Sequence, residues 1–391
     1  MKVELHLIQN FAPSCLNRDD TNTPKDCEFG GHRRARISSQ CIKRAIRWDG
    51  TFREQLGGYL SDRSLRFPDQ VKKLLIEMGV SEKSANIIGK NLQDIAKAEK
   101  KAQTSEKEPT KKKADTYELD IFKTPQIMFY TKEEVKACAK TIKDLLDKGI
   151  KPVDAVKQIR DKKSATLFPK PRSADIALFG RMITSDNFVD VDAACQVAHA
   201  ISTNRVLMDM DFYTAVDDLQ KEGETGAGMM GITGFNSSCF YRYSVVDMEL
   251  LKRNLGNNKE AEKLALETLK AFLRASVTAI PTGKQTSFAA HNPPEAIFAV
   301  VREKGAPVSL ANAFATPIHP LKEKSLSQAS IEAMDSYWGQ LTKVYGENGI
   351  KARPICLVNI AQLTKLKDQQ KESFEELLQA VVDAISFEEA K

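Results

Sequence analysis

The chain has 391 residues, 42% of them hydrophobic and 28% charged, a balance that suits a globular protein with a substantial core and excludes a disordered or fibrous one. Its net charge of +6 is only mildly basic, so a surface for polyanions has to come from local clustering rather than from the field of the whole protein. Seven cysteines, odd in number and without a CxxC pair, point to reduced thiols, and the absence of a long apolar run gives neither a secretion signal nor a membrane span, so the expected location is cytoplasmic.

Lys2, Glu4 and His6 alternate with Val3, Leu5 and Leu7, the pattern of a half-buried strand over residues 2 to 9. A polar loop from Asn17 to Asp26 leads to Gly30-Gly31 and then to a basic run. Between Phe29 and Trp48 stand Arg33, Arg34, Arg36, Lys43, Arg44 and Arg47, with no acid among them. If Ser38 or Ser39 caps a helix there, the 100° step per residue gathers Cys41, Ile42, Ala45 and Ile46 on one face and leaves Lys43, Arg44 and Arg47 opposite. The capping hydroxyl, free backbone N–H groups and helix dipole also favour phosphate at that end. Solvated helix faces usually interleave Glu with Lys, whereas this face repels itself unless an anion is near.

From 58 to 172 the character is helical, with patterns over Asp69 to Met78, Ser81 to Ala98, Lys132 to Lys148 and Pro152 to Lys162. Lys100 to Asp115, rich in Lys, Glu, Thr and Pro without apolar period, reads as a mobile, solvated loop. Asp175 to Ile183 reads as a strand, and Val191 to Thr203 as an Ala-rich amphipathic helix in which His199 is a packed core histidine. Residues 204 to 235 form a long hairpin-like excursion, and Ser238 to Val246 is a strand. A helix from Asn258 to Ser276, a strand from Ala296 to Val301, and helices over Gln328 to Tyr345 and Ser373 to Glu389 complete the order. Strands separated by helices, without a tandem repeat, give an α+β sheet carrying insertions.

Several motifs carry chemistry elsewhere but lack its context here. Gly226-Ala-Gly228-Met-Met-Gly231 satisfies GxGxxG but is followed by a strand instead of a helix, and reads as a flexible tip rather than a cofactor site. Pro281-Thr-Gly-Lys284-Gln echoes a phosphate loop but has Thr278 where the first glycine belongs and Gln285 where a magnesium-holding hydroxyl belongs, leaving Lys284 as a phosphate contact. Cys15, Cys27, His32 and Cys41 match no zinc spacing, and no cofactor or metal is expected. Asp209 and Asp211, with Asp217 and Asp218 nearby, are the basis for an alternative, a metal-dependent nuclease. No Ser/His/Asp set is visible, and the five histidines are scattered, so binding outranks catalysis. Phe212-Tyr213, adjacent aromatics in an exposed segment, suit sequence-tolerant stacking on bases, a partner or the parent domain.

Ser14-Cys-Leu-Asn-Arg-Asp-Asp, Lys25-Asp and Phe29 to Arg47 together resemble the N-terminal signature of the CasC-type backbone subunit of type I-E CRISPR Cascade. Asp175-Ile-Ala-Leu-Phe-Gly-Arg-Met, Ala198-His-Ala-Ile-Ser-Thr, Asp211 to Gln220, Phe240-Tyr-Arg-Tyr, Gly283-Lys-Gln and Ser309-Leu-Ala-Asn-Ala-Phe are similar to family segments in the same order. The resemblance implies an RRM-like (ferredoxin-like) palm over 1–57, 173–203 and 236–391, the last with C-terminal helices. It adds a helical fingers insertion over 58–172 and a protruding thumb over 204–235. It implies a non-enzymatic protein that polymerises head to tail on CRISPR RNA with other Cascade subunits and presents the guide to target DNA. Carried over to this sequence, Arg18, Lys25, Arg36, Ser38, Gln40, Lys43, Arg44 and Arg47 contact the RNA backbone and Lys284 a phosphate, while Met182, Phe212 and Tyr213 wedge or stack. The family's thumb usually has Trp-Phe where Phe212-Tyr213 stands here.

Overall fold

The structure, a computed structural model, describes residues 1–96, 121–161, 168, 170–183, 185, 187–219, 229–320, 323–358 and 361–385. Two compact units form, one from 1–57, 195–252 and 262–391, the other from 58–194 and 253–261. The segment Lys100 to Asp115 and the glycines Gly226 and Gly228 lie outside the described residues.

The first unit opens with β1 (Lys2–Ser14), then β2 (Asp26–Phe29) and β3 (His32–Ile37), which pair as an antiparallel hairpin. Its two-residue turn, Gly30-Gly31, has φ of 61° and 75°, the doubly left-handed conformation that matches the twist of hairpin strands and that glycine adopts without strain. The basic run is therefore part strand and part helix, where the sequence suggested a long loop leading straight into a helix. Helix α1 (Ser39–Trp48) follows, capped by Ser38, whose Oγ accepts the Cys41 amide at 3.3 Å. Asp49 separates it from α2 (Gly50–Leu56) and accepts the Thr51 and Phe52 amides.

In the second unit, β4 (Asp62–Ser64) pairs with β5 (Met128–Tyr130), and α3 (Phe67–Glu77), α4 (Glu82–Asn91), α5 (Lys132–Asp147) and α6 (Pro152–Asp161) surround an apolar cluster, with α7 (Ala174–Phe179) following in the chain. Phe67 meets Phe168 and Phe188 edge-on, and those two rings stack at 4.5 Å. Thr131 and Glu134 form a capping box at the start of α5. Glu134 also accepts Arg181 at 2.8 Å in an ion pair shut away from water. Helix α7 replaces the strand expected from Asp175. Ala-Asp-Ile-Ala-Leu-Phe is too short for its period to separate strand from helix, and Asp175 instead sits in the first turn while Gly180, with φ of 79°, ends it.

Returning to the first unit, β6 (Cys195–Val197) and β7 (Ala200–Ser202) pair with β9 (Met229–Asp247), whose outer end also pairs with β8 (Asp209–Ala215). The helix expected over 191–203 is absent: pairing of this stretch with β9 overrides the helical preference of its alanines. After α8 (Met248–Leu255), α9 (Lys259–Thr278) and the short α10 (Gln285–Phe288) come β10 (Ala296–Arg302), α11 (Leu326–Tyr345), β11 (Ile350–Ala352), β12 (Ile355–Leu357) and α12 (Phe374–Asp383).

The result is a mixed α+β unit with a large antiparallel sheet. Its order is β11-β10-β1-β9-β7-β3-β2, with β12 also beside β10 and β6 also beside β9. Both sheet faces are covered. Ile42 and Ile46 of α1 and Ser276 of α9 close over Leu5 and Leu7, while Phe314 and the α11 residues Ile331, Met334 and Trp338 pack on Ile8, Tyr241, Phe298 and Val300. Strand β1 is consequently buried on both sides, not half-buried. Of its polar alternates Glu4 is satisfied inside: it accepts from Arg302 Nε at 2.9 Å, the Tyr243 hydroxyl at 3.0 Å and the Val308 amide at 2.6 Å. His6 Nδ1 lies 2.8 Å from the Tyr241 hydroxyl.

Candidate nucleic-acid interface

Beyond the end of β1 the chain enters a loop held from two sides. A Cβ at Gly283 would lie 2.4 Å from the Leu16 carbonyl oxygen, so only glycine permits this approach, which sets Lys284, in the left-handed conformation, beside the loop. Arg18 and Lys284 both act electrostatically on the Cys15 thiol, whose pKa burial nevertheless raises. Asn17 links the loop to the helix: its carbonyl accepts the Lys25 amide at 2.8 Å, and its Oδ1 accepts the Ser38 amide at 2.8 Å. Asp19 Oδ1 gathers the Thr21 hydroxyl and the Thr21 and Thr23 amides, and these bonds, the Thr21 hydroxyl foremost, lower its pKa. Arg18 bonds Asn22 Oδ1 across the same turn.

Arg36 extends this surface from β3. Its backbone N–H donates to the Lys25 carbonyl at 2.9 Å, its Nε to the Asp26 carbonyl at 3.2 Å, and its Nη1 to His199 Nδ1 at 3.0 Å. A guanidinium has no acceptor, so the imidazole must accept and stay neutral at Nδ1. Partial burial, then the charges of Arg36 and Lys25, lower the His199 pKa accordingly. His199 is exposed on the segment between β6 and β7 and belongs to this site, contrary to its expected place in a helix core.

On α1, Ile42 and Ile46 are buried, Cys41 and Ala45 partly so, while Gln40 and Arg44 are exposed and Lys43 and Arg47 half-buried. The two faces are those read from the sequence. Among the described residues, Lys25, Arg36, Lys43, Arg44 and Lys284 make no salt bridge. Ser38 is buried, with its hydroxyl used in the cap and its amide on Asn17, so it positions the helix start. Two cations of the acid-free run face other tasks. Arg33 pairs with Asp26 on the neighbouring strand at 2.5 Å. Arg34 is 0% exposed and donates to the carbonyls of Ser202, Thr203, Phe314 and Ala315 at 2.7 to 3.1 Å.

The hairpin of β8 and β9 is in register from Asp209↔Phe235 to Ala215↔Met229. Because side chains alternate along a strand, Phe212 and Tyr213 face opposite ways and cannot stack on one base together. Phe212, 62% exposed, shares its face with Met210, Ile232 and Met230, whereas Tyr213, 39% exposed, lies across Gly231, where a Cβ would be 2.4 Å from the ring. Asp209 and Asp211 are exposed on the Tyr213 face, and among the described residues no three His, Cys, Asp or Glu side chains gather around a common point. Met182 belongs to the other compact unit and is 90% exposed.

Asn17, His199 and Gly283 are the positioning residues that residue-type arguments missed. Asn17 stood at the head of a turn-rich run and Gly283 in the phosphate-loop-like Pro281 to Gln285, but neither position disclosed its contact, Asn17 with the Ser38 amide and Gly283 with the Leu16 carbonyl.

The fold is shared with chains of CRISPR RNA-guided surveillance complexes. One solved chain, described as "CRISPR RNA-guided surveillance complex, pre-nicking", is 28% identical, with a TM-score of 0.80 over 98% of this chain and 100% of its own. Another, described as "CRISPR RNA-guided surveillance complex", matches at a TM-score of 0.59 and 23% identity, over 98% and 99% of the two chains, a likeness of fold. The family model of CT1975-like protein matches residues 3–383, and the chain belongs to that family, the Cas7-type Cascade backbone proteins. No curated protein matches it.

Proposed function

We propose that this chain is the repeated, guide-binding backbone subunit of a type I-E Cascade, a non-catalytic protein that holds CRISPR RNA and presents it for pairing with target DNA. The observation that carries this reading is the surface of Lys25, Arg36, Lys43 and Arg44, free of salt bridges, gathered by the Asn17–Ser38 link at the start of α1 in a chain of this family. Phosphates supply the missing counter-charge, and the protein leaves base edges free for pairing. The strand order β10-β1-β9-β6/β7, with α1 in the first crossover and α9 in the last, supports an RRM-like palm built on the split βαβ pattern. In this reading residues 58–172 are the fingers, 204–235 the thumb, and the palm spans 1–57, 173–203 and 236–391. Arg18, Lys25, Arg36, Gln40, Lys43, Arg44, Arg47 and Lys284 meet the backbone, with Ser38 at the helix start. Met182, Phe212 and Tyr213 act as wedges, the two aromatics on separate nucleotides. Head-to-tail contacts between copies give a filament ended by other subunits.

The test is to purify the chain with its guide RNA after replacing Lys43, Arg44 and Arg47 together with Glu. Loss of bound RNA is expected, together with a flatter dependence of affinity on salt, by about 0.7 for each phosphate no longer neutralised; unchanged retention overturns the reading. Incubation of labelled single strands with Mg²⁺ or Mn²⁺ separates it from a nuclease, since cleavage abolished by Asp211→Ala would assign catalysis to Asp209 and Asp211.

A further inference from the structure

Trp48 ends α1 with its indole 58% exposed, while the chain's other tryptophan, Trp338, is 3% exposed and packed edge-on against Phe298. Exposed indole on this scale is unusual for a residue type that is mostly buried. Two guanidiniums hold it: Arg44, one turn back on α1, with its Cζ 5.7 Å from the ring centroid, and Arg53 of α2 at 4.7 Å. Such cation–π contacts fix the ring and surround it with positive charge without enclosing it. The acids nearby do not cancel that charge evenly. Asp49 turns its carboxylate to the Thr51 and Phe52 amides and the Thr278 hydroxyl, leaving Glu54, beside Arg53 on α2, as the exposed carboxylate of the segment.

We infer that Trp48, flanked by Arg44 and Arg53, is a stacking site for an unpaired nucleobase whose adjoining phosphates the two arginines contact. The inference rests on the nucleic-acid-binding reading above and extends it from phosphates to a base. The ring lies ten residues beyond Ser38, roughly 15 Å along the helix, so this position is separate from the Asn17–Ser38 end. A π-face accepts any base, so the site imposes no sequence. The strand is either the guide RNA or a DNA strand, both of which offer the same chemistry.

Trp48 can be followed by its own fluorescence, because Trp338 is shielded and a Trp48→Phe chain supplies the background. Titrate the full chain with oligouridylate and with an abasic oligonucleotide of equal length. Oligouridylate should quench Trp48 emission and the abasic strand should not. Trp48→Ala should weaken oligouridylate binding about 5- to 150-fold, the equivalent of ~1–3 kcal/mol for one stacked base, while leaving the abasic affinity unchanged, and Trp48→Phe should retain most of it. Equal binding of both strands without quenching overturns the site and leaves the phosphate-binding reading intact; failure of both strands to bind overturns that reading as well. A concentration-dependent blue shift without nucleic acid, and no quenching with it, would put a second copy of the chain on Trp48 and also overturn the proposal. In guide-loaded particles compared with their Trp48→Phe counterparts, quenching by added non-complementary DNA identifies a DNA strand as the occupant, and emission already quenched and unresponsive to DNA identifies the guide.

Discussion

His6 offers a direct measure of how tightly the central strand is sealed. It is fully buried on β1 between the rings of Tyr243 and Phe298, at 4.9 and 5.2 Å, and desolvation, helped by the charge of Arg302, lowers its pKa from 6.5 to about 3. The folded value lies below the unfolded one, so its contribution to stability is complete above about pH 6.5 and is lost as pH falls toward 3. Integrating the linkage between these two values gives a loss of about 2 kcal/mol from pH 7.5 to pH 5. His6→Phe keeps an aromatic ring among aromatic neighbours and removes the titration, with a pH-independent cost of about 1 kcal/mol for the lost Tyr241 bond. Urea unfolding followed by Trp338 emission reports on the same layer, since Trp338 packs on Phe298. The wild-type chain should lose about 2 kcal/mol more than the variant over that pH interval. Parallel stability curves would refute the reasoning, because they would mean that His6 reaches water or a carboxylate in the folded state.

Arg34→Met should cost about 3–5 kcal/mol, read as a lower urea midpoint, because it leaves buried carbonyls of Ser202, Thr203, Phe314 and Ala315 without a donor; a cost below about 1 kcal/mol would show that water reaches them. Gly283→Ala must push the Leu16–Arg18 loop away from its present course, so guide RNA retention should fall about tenfold, equivalent to ~1.4 kcal/mol, and unchanged retention would detach this loop from the binding surface. Phe212→Ala and Tyr213→Ala should weaken RNA binding independently, with the double variant additive within about 0.5 kcal/mol, as expected of side chains on opposite hairpin faces. Strong coupling between them would mean that both rings meet one nucleotide.

Helix α1 was legible in the sequence because its causes are local: a serine cap, an apolar stripe at helical spacing and a cationic face opposite. The 191–203 segment was not, since its alanines favour a helix and only β9, more than thirty residues onward, makes it two strands. Glu4 and His6 misled for a related reason. Alternation identifies a strand, but whether the polar side meets water depends on what covers it, here Tyr241, Tyr243 and the 304–318 segment. The candidate site residues were selected by charge and family likeness, yet charge alone could not separate Arg34, sealed among carbonyls, from Arg36 two positions on. Nor could adjacency in sequence reveal that Phe212 and Tyr213 diverge, a fact set by the strand they share.

The carbonyls that hold Arg34 are dipoles, and dipoles orient a guanidinium without neutralising it. Burial lowers its pKa, yet a guanidinium stays ionised in proteins at any physiological pH. Its positive charge therefore acts from beneath the hairpin, where no salt ion can reach it and where low polarisability screens it less than water screens Lys43 or Arg44. Part of the attraction for a bound polyanion is then a fixed potential, exerted by a residue that never touches it.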